Sequence, residues 1–172
     1  MNLQILKKYK DKSEFVEDVK KRAFEMEMNS HGCSQVVVQT FLDVFEQEDG
    51  TLFMAASPFA AGMSLTGNNC GALIGGLMIL GTVFGRKNVA EGMPGILEGI
   101  RPTRKLIRYF SGVQGSLDCR DITGTTLSDP KLSTAFFDGG GLEKCAGVIA
   151  DVAGHVATLL WDEYENGTDT GS

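Results

Sequence analysis

Between Gly50 and Gly85 the chain carries no charged side chain. So long an uncharged stretch has to be buried, in protein or in lipid, and the choice decides what the chain can become. Ser57-Pro58 interrupts it, and so does the polar run from Ser64 to Asn69. The longest clean apolar run, Cys70–Gly85, falls short of the ~20 residues a bilayer span needs. A buried core helix, with no membrane span, is therefore expected. Gly67-Asn68-Asn69 reads as a turn and N-cap before it, and Gly85 as its stop. Gly71, Gly75, Gly76 and Gly81 lie inside that helix, each costing about 1 kcal/mol against alanine. Glycines at that cost imply close approach of a neighbouring backbone, which puts the helix at the centre of the fold. The same small-residue face is a candidate contact for a homodimer, the oligomeric form expected.

The flanking sequence also reads as helix. Asp11 and Glu14 have capping-box spacing ahead of a helix that carries Phe15, Val16, Val19 and Phe24 inward and ends near Asn29. After a turn at His31–Ser34, a second helix should run to about Gln47 with Val37, Val38, Phe41, Leu42 and Phe45 inside. A short helix fits Leu52–Ala56 and extends toward Met63. Residues 90–114 fit one helix kinked at Pro102, or a pair joined there. Residues 115–130 should be irregular, with a short helix or turn at Lys131–Phe137 and a final helix over Leu142–Tyr164. Asn166–Ser172 reads as a polar tail. No strand, repeat or linker is evident. The expected fold is all-α: one domain over residues 1–172, an irregular bundle of about five or six helices around a Gly-rich central helix.

Hydrophobic residues make up 42% and charged residues 22%, which suits a packed core. Net charge is −6 at pH 7, and that acidity speaks against nucleic-acid binding, which demands a positive surface. Met1–Lys10 has no apolar core followed by a small-residue cleavage site, so a cytoplasmic location is expected. In such a reducing compartment, four cysteines suit metal ligands or working thiols better than structural disulfides.

Those cysteines are Cys33, Cys70, Cys119 and Cys145. No C-x-x-C pair occurs, so the zinc-ribbon, ferredoxin and thioredoxin signatures are absent. Cys33 directly precedes a predicted helix. Cys70 opens the central one, and Cys145 falls in the first turn of the last, after three glycines. Cys119 sits in a loop beside Arg120. Free N–H groups at helix starts favour the thiolate, and Arg120 would offset part of a thiolate cluster's charge. An ordinary buried cysteine is the plain alternative for any one of the four taken alone.

Cys70-Gly71-Ala72-Leu73-Ile74-Gly75 matches the CGAxxG motif of a bacterial and archaeal family named for it. Gly32-Cys33-Ser34-Gln35 is similar to the family's upstream cysteine setting. Asp118–Gly124 matches its cysteine–arginine loop, and Lys144-Cys145 its C-terminal helix start. Over about residues 28–160 the chain thus resembles the four-cysteine C_GCAxxG_C_C family of redox-active proteins. Related domains occur in split-Soret cytochromes. By that route Cys33, Cys70, Cys119 and Cys145 look like ligands of an iron–sulfur cluster, and a [2Fe–2S] centre needs four. The resemblance implies electron transfer with a redox partner protein. No C-x-x-C-H site occurs, so the haem of those relatives does not carry over. Two alternatives stay open: a thiol–disulfide oxidoreductase using pairs of the same cysteines, and a structural zinc site.

Other features weigh less. His31, two residues before Cys33, could serve as an alternative ligand or proton acceptor, and a turn histidine is the plainer reading. His155 reads as packing. Arg101, Arg104, Lys105 and Arg108 form one basic stripe, read as a solvated face or a dock for an acidic partner. Asp138-Gly139-Gly140-Gly141 resembles an anion loop but lacks Walker spacing and a preceding strand.

Overall fold

A computed structural model describes the chain from residue 1 to residue 169. Nine α-helices occur among the described residues, with short 3-10 turns between some of them and no strand. The class is the expected one, and the count exceeds five or six because four short helices join five longer ones. The long helices are α1 (Lys12–Ser30), α2 (Cys33–Val44), α5 (Gly71–Phe84), α6 (Gly92–Gln114) and α9 (Gly141–Asp169). The short ones are α3 (Gly50–Ala56), α4 (Ala60–Met63), α7 (Cys119–Thr123) and α8 (Pro130–Asp138). A further 3-10 turn, Leu3–Lys8, had no sequence signal. It buries Leu6, and its Lys8 Nζ donates to the Val44 carbonyl at the end of α2.

Local chemistry accounts for the boundaries. Asp11 caps α1 by accepting from Glu14 N–H, while Glu14 reaches back to Lys10 N–H. Asp129 caps α8 and Pro130 occupies its first position. Of residues 90–114, Gly92–Gln114 form one helix with Pro102 buried inside it, and residues 90 and 91 belong to a 3-10 turn before it. Residues 166–169 continue α9 rather than forming a tail. Residues 170–172 of the expected tail lie outside the described residues.

The core lies between α1, α2, α5, α6 and α9, with Phe15, Phe41, Phe110, Ile79 and Leu160 all fully buried. Phe15 packs on Trp161 (5.9 Å between rings) and edge-on against Phe45 (6.5 Å). By length and composition α9 could cross a bilayer, and 67% of its apolar window is buried against the rest of the fold.

The glycines of α5 divide by position. A Cβ on Gly75 would lie 2.6 Å from the Ser34 carbonyl oxygen of α2. One on Gly76 would lie 2.9 Å from Leu106 and Val152 methyls. Gly71 carries the Cys33 sulfur against its Cα. These three permit the close packing expected of them. Gly81 does not: nothing lies within 4 Å of its Cβ position, so no neighbour requires it.

Candidate functional site

Four separate elements each bring one sulfur to a single cavity. Cys33 is the first residue of α2, after Gly32 in the left-handed N-cap position. Cys70 is the N-cap of α5, with its thiol facing the Ala72 and Leu73 N–H groups. Cys119 is the first residue of α7, which replaces the loop expected there. Cys145 is the fifth residue of α9, one place deeper than expected, because the helix begins at Gly141 and not at Leu142. The end-of-helix argument therefore applies to Cys33, Cys70 and Cys119, and not to Cys145.

Cys70 and Cys119 are held together by backbone. Asn69 and Asp118 form an isolated antiparallel bridge. Beside it, Cys70 N–H donates to Leu117 O (2.8 Å) and Cys119 N–H to Asn68 O (2.7 Å). Arg120 extends this clamp. Its Nε donates to Gly67 O (3.2 Å) and its guanidinium to Asn68 Oδ1 (2.7 Å). It is absent from the cavity wall, so it braces the loop and does not neutralise the thiols as expected.

The opposite rim is a left-handed turn that sequence reading missed. Five consecutive residues, Ala61, Gly62, Met63, Ser64 and Leu65, have φ between 53° and 70°. Each of the four non-glycine residues costs ~1–2 kcal/mol in that region. Hydroxyls support the turn: Thr66 donates to Gly62 O (2.7 Å) and Ser64 to Pro58 O (3.0 Å). The turn aims Ala61 N–H at the Cys33 thiol. Gly62 is required there, since at φ +70° a Cβ would also meet Cys119 Cβ at 2.6 Å.

The cavity holds about 410 Å³. All four cysteines line it, with Glu27, His31 and a mainly apolar wall that includes Ile122, Leu127, Phe137, Leu142 and Ile149. No lysine or arginine does. All four thiols are free. Burial pushes Cys33 and Cys145 up to about 12 and Cys70 and Cys119 up to about 11, with mutual repulsion adding to it. This corrects the expectation of lowered thiol pKa values. N–H groups do favour the Cys33 and Cys70 thiolates, but desolvation outweighs them.

Glu27 is the other residue that sequence reading missed. It is 5% exposed, and burial raises its carboxyl to about 7 against the lowering effect of a Gly32 N–H bond. The signal was its spacing: Phe15, Val19, Ala23 and Glu27 recur every four residues on the buried face of α1. His31 also lines the cavity. Its Nδ1 lies 3.0 Å from Glu27 O, and since a carbonyl only accepts, Nδ1 is the donor. His155 stacks on Tyr109 (3.9 Å between rings) and is packing, as expected. Arg101, Arg104, Lys105 and Arg108 are exposed along α6, away from the cysteine cavity. Gly139 and Gly140 join α8 to α9, which Gly141 opens, with Gly140 at φ +85°. Among the described residues no three His, Cys, Asp or Glu side chains are gathered tightly enough to hold one metal ion.

A family model described as "Putative redox-active protein (C_GCAxxG_C_C)" matches residues 31–159. That span contains all four cysteines and begins four residues after Glu27. Comparison with curated proteins and with solved structures finds no match.

Proposed function

Since the chain belongs to the C_GCAxxG_C_C family of redox-active proteins, we propose that Cys33, Cys70, Cys119 and Cys145 together hold an iron–sulfur cluster, best a [2Fe–2S] centre, and that the protein transfers electrons to a redox partner protein. The observation that carries this reading is convergence: four sulfurs from four separate elements wall one apolar cavity.

The donor set suits the group. Soft thiolates select iron–sulfur clusters, and two irons need four of them. When bound, a cluster supplies a one-electron couple. The chain's own residues would do the rest. Ala72 and Leu73 N–H groups at Cys70, and those of Ala61 and Ser34 at Cys33, would offset thiolate charge. Apolar walls keep water away, and both effects set a reduction potential.

The two alternatives use the same cavity and part from this reading by what the protein carries. A structural zinc site would give a colourless protein with zinc and no redox titration. A thiol–disulfide oxidoreductase would carry no metal and would join at least two of the sulfurs in a disulfide. A cytoplasmic, homodimeric protein is proposed with the same reading.

Single Cys→Ser variants of the full chain test it. After anaerobic loading with iron and sulfide, each variant should lose most of the wild-type visible absorption and shift the reduced-state electron paramagnetic resonance signal. A set in which two or more variants match wild type would contradict a four-cysteine centre.

A further inference from the structure

The cavity contains one group that a four-thiolate reading leaves unused. Glu27 Oε2 is fully enclosed and has no hydrogen-bond partner. Gly32 N–H donates to the carboxyl's other oxygen. The side chain is 5% exposed, lines the cavity with the four cysteines, and faces no lysine or arginine there. Its charge acts on the thiols of Cys33, Cys70 and Cys145. A buried carboxylate without a partner is costly, and either a proton or a cation relieves that cost. As a cap on Gly32 N–H alone, a glutamine would serve equally and leave no orphaned acid.

We propose that Glu27 is a fifth donor of this centre: its free carboxylate oxygen binds a metal ion in the cavity, making the site a mixed sulfur–oxygen one. The inference rests on the cysteine cavity being a metal site, and it goes beyond the cluster reading by adding a hard donor. Borderline divalent ions such as iron, cobalt and zinc accept both donor types, whereas a soft monovalent copper ion favours the thiolates alone. Five donors around a centre that needs four also leave one position exchangeable.

Cobalt(II) tests this without sulfide, so it does not depend on cluster assembly. The wild-type chain and Glu27→Gln are titrated anaerobically with cobalt, with a phosphine as reductant. The glutamine keeps the size of the side chain and an acceptor for Gly32 N–H. Wild type should show thiolate-to-metal charge transfer, and X-ray absorption should find sulfur at about 2.3 Å with an oxygen at about 2.0–2.2 Å. E27Q should keep the charge-transfer intensity, lose the oxygen and bind cobalt ~10–100-fold more weakly.

An all-sulfur shell in wild type overturns the proposal. So does an oxygen or nitrogen retained in E27Q, which would belong to water or His31, and so does unchanged affinity. Failure of wild type to bind cobalt overturns it too. If E27Q fails to fold by circular dichroism, Glu27→Asp replaces it, withdrawing the oxygen by one methylene. A wild-type shell and affinity in E27D then overturn the proposal. A cluster that assembles with two irons and two sulfides in E27Q, beside unchanged cobalt binding, sinks this inference and leaves the four-cysteine reading standing.

Discussion

Two alanine substitutions in one helix should act with opposite sign. A Cβ on Gly75 would lie 2.6 Å from the Ser34 carbonyl oxygen and 3.0 Å from Val37 Cβ. The first neighbour is backbone of α2, so relief requires α2 and α5 to move apart rather than one side chain to turn. Overpacking of this kind costs ~1–3 kcal/mol, and the backbone contact places it in the upper half of that range. Alanine recovers about 1 kcal/mol of helix propensity. Gly75→Ala should therefore destabilise the fold by ~1–2 kcal/mol. In a chain of this length that lowers the melting temperature by about 3–6 °C. Gly81 has nothing within 4 Å of its Cβ position, so Gly81→Ala meets no clash and should stabilise by ~0.5–1 kcal/mol. Urea unfolding of the reduced, metal-free protein followed by circular dichroism measures both. The packing argument fails if the two variants shift stability in the same direction. Gly76→Ala should fall between them, because its neighbours at 2.9 Å are Leu106 and Val152 methyls that can shift.

Three further outcomes follow from the cavity. Glu27 is raised from 4.5 to about 7, so the folded state holds an extra proton between those values. Its contribution is fully present below about pH 4.5 and is lost as pH rises through 7. Metal-free wild type should lose about 3 kcal/mol relative to E27Q across that window, measured by urea unfolding at several pH values. The thiols are raised from 9 to about 11 and 12, so alkylation by iodoacetamide at neutral pH should run at least ~100-fold slower than in urea-unfolded chain. Equal rates would mean that the cavity is open to water. Gly62→Ala adds strain at φ +70° and a contact 2.6 Å from Cys119 Cβ, so it should lower both stability and metal uptake, read by thermal unfolding and cobalt titration.

What was legible in the sequence had a local cause. The charge-free run with internal glycines located α5 to within a residue, because Cys70 as N-cap and Gly85 as stop act within one turn. Asp11 fixed the start of α1 for the same reason. The cysteines' setting before predicted helices, together with the family motif, pointed to one shared site, and all four line one cavity. Longer-range effects were not legible. Arg120 was assigned to the thiols by proximity in sequence, but the chain crossing at Asn69 and Asp118 gives it nearer carbonyls at Gly67 and Asn68. Lowered thiol pKa values followed from helix ends alone, whereas the enclosing wall from α7, α8 and α9 reverses the sign. The left-handed run at Ala61–Leu65 breaks local preference at four residues, so propensity gives no sign of it; hydroxyl bonds from Ser64 to Pro58 O and from Thr66 to Gly62 O brace it. Glu27 was hidden by its type, since a glutamate in a helix is usually solvated. Its four-residue spacing from Phe15, Val19 and Ala23 was the available clue.

The most direct measurement is the iron, zinc and acid-labile sulfide content of the full chain purified without oxygen. A shared iron–sulfur centre predicts a coloured protein with about two irons and two sulfides per chain and little zinc. A colourless protein carrying neither iron nor sulfide, both as purified and after anaerobic loading, would contradict it.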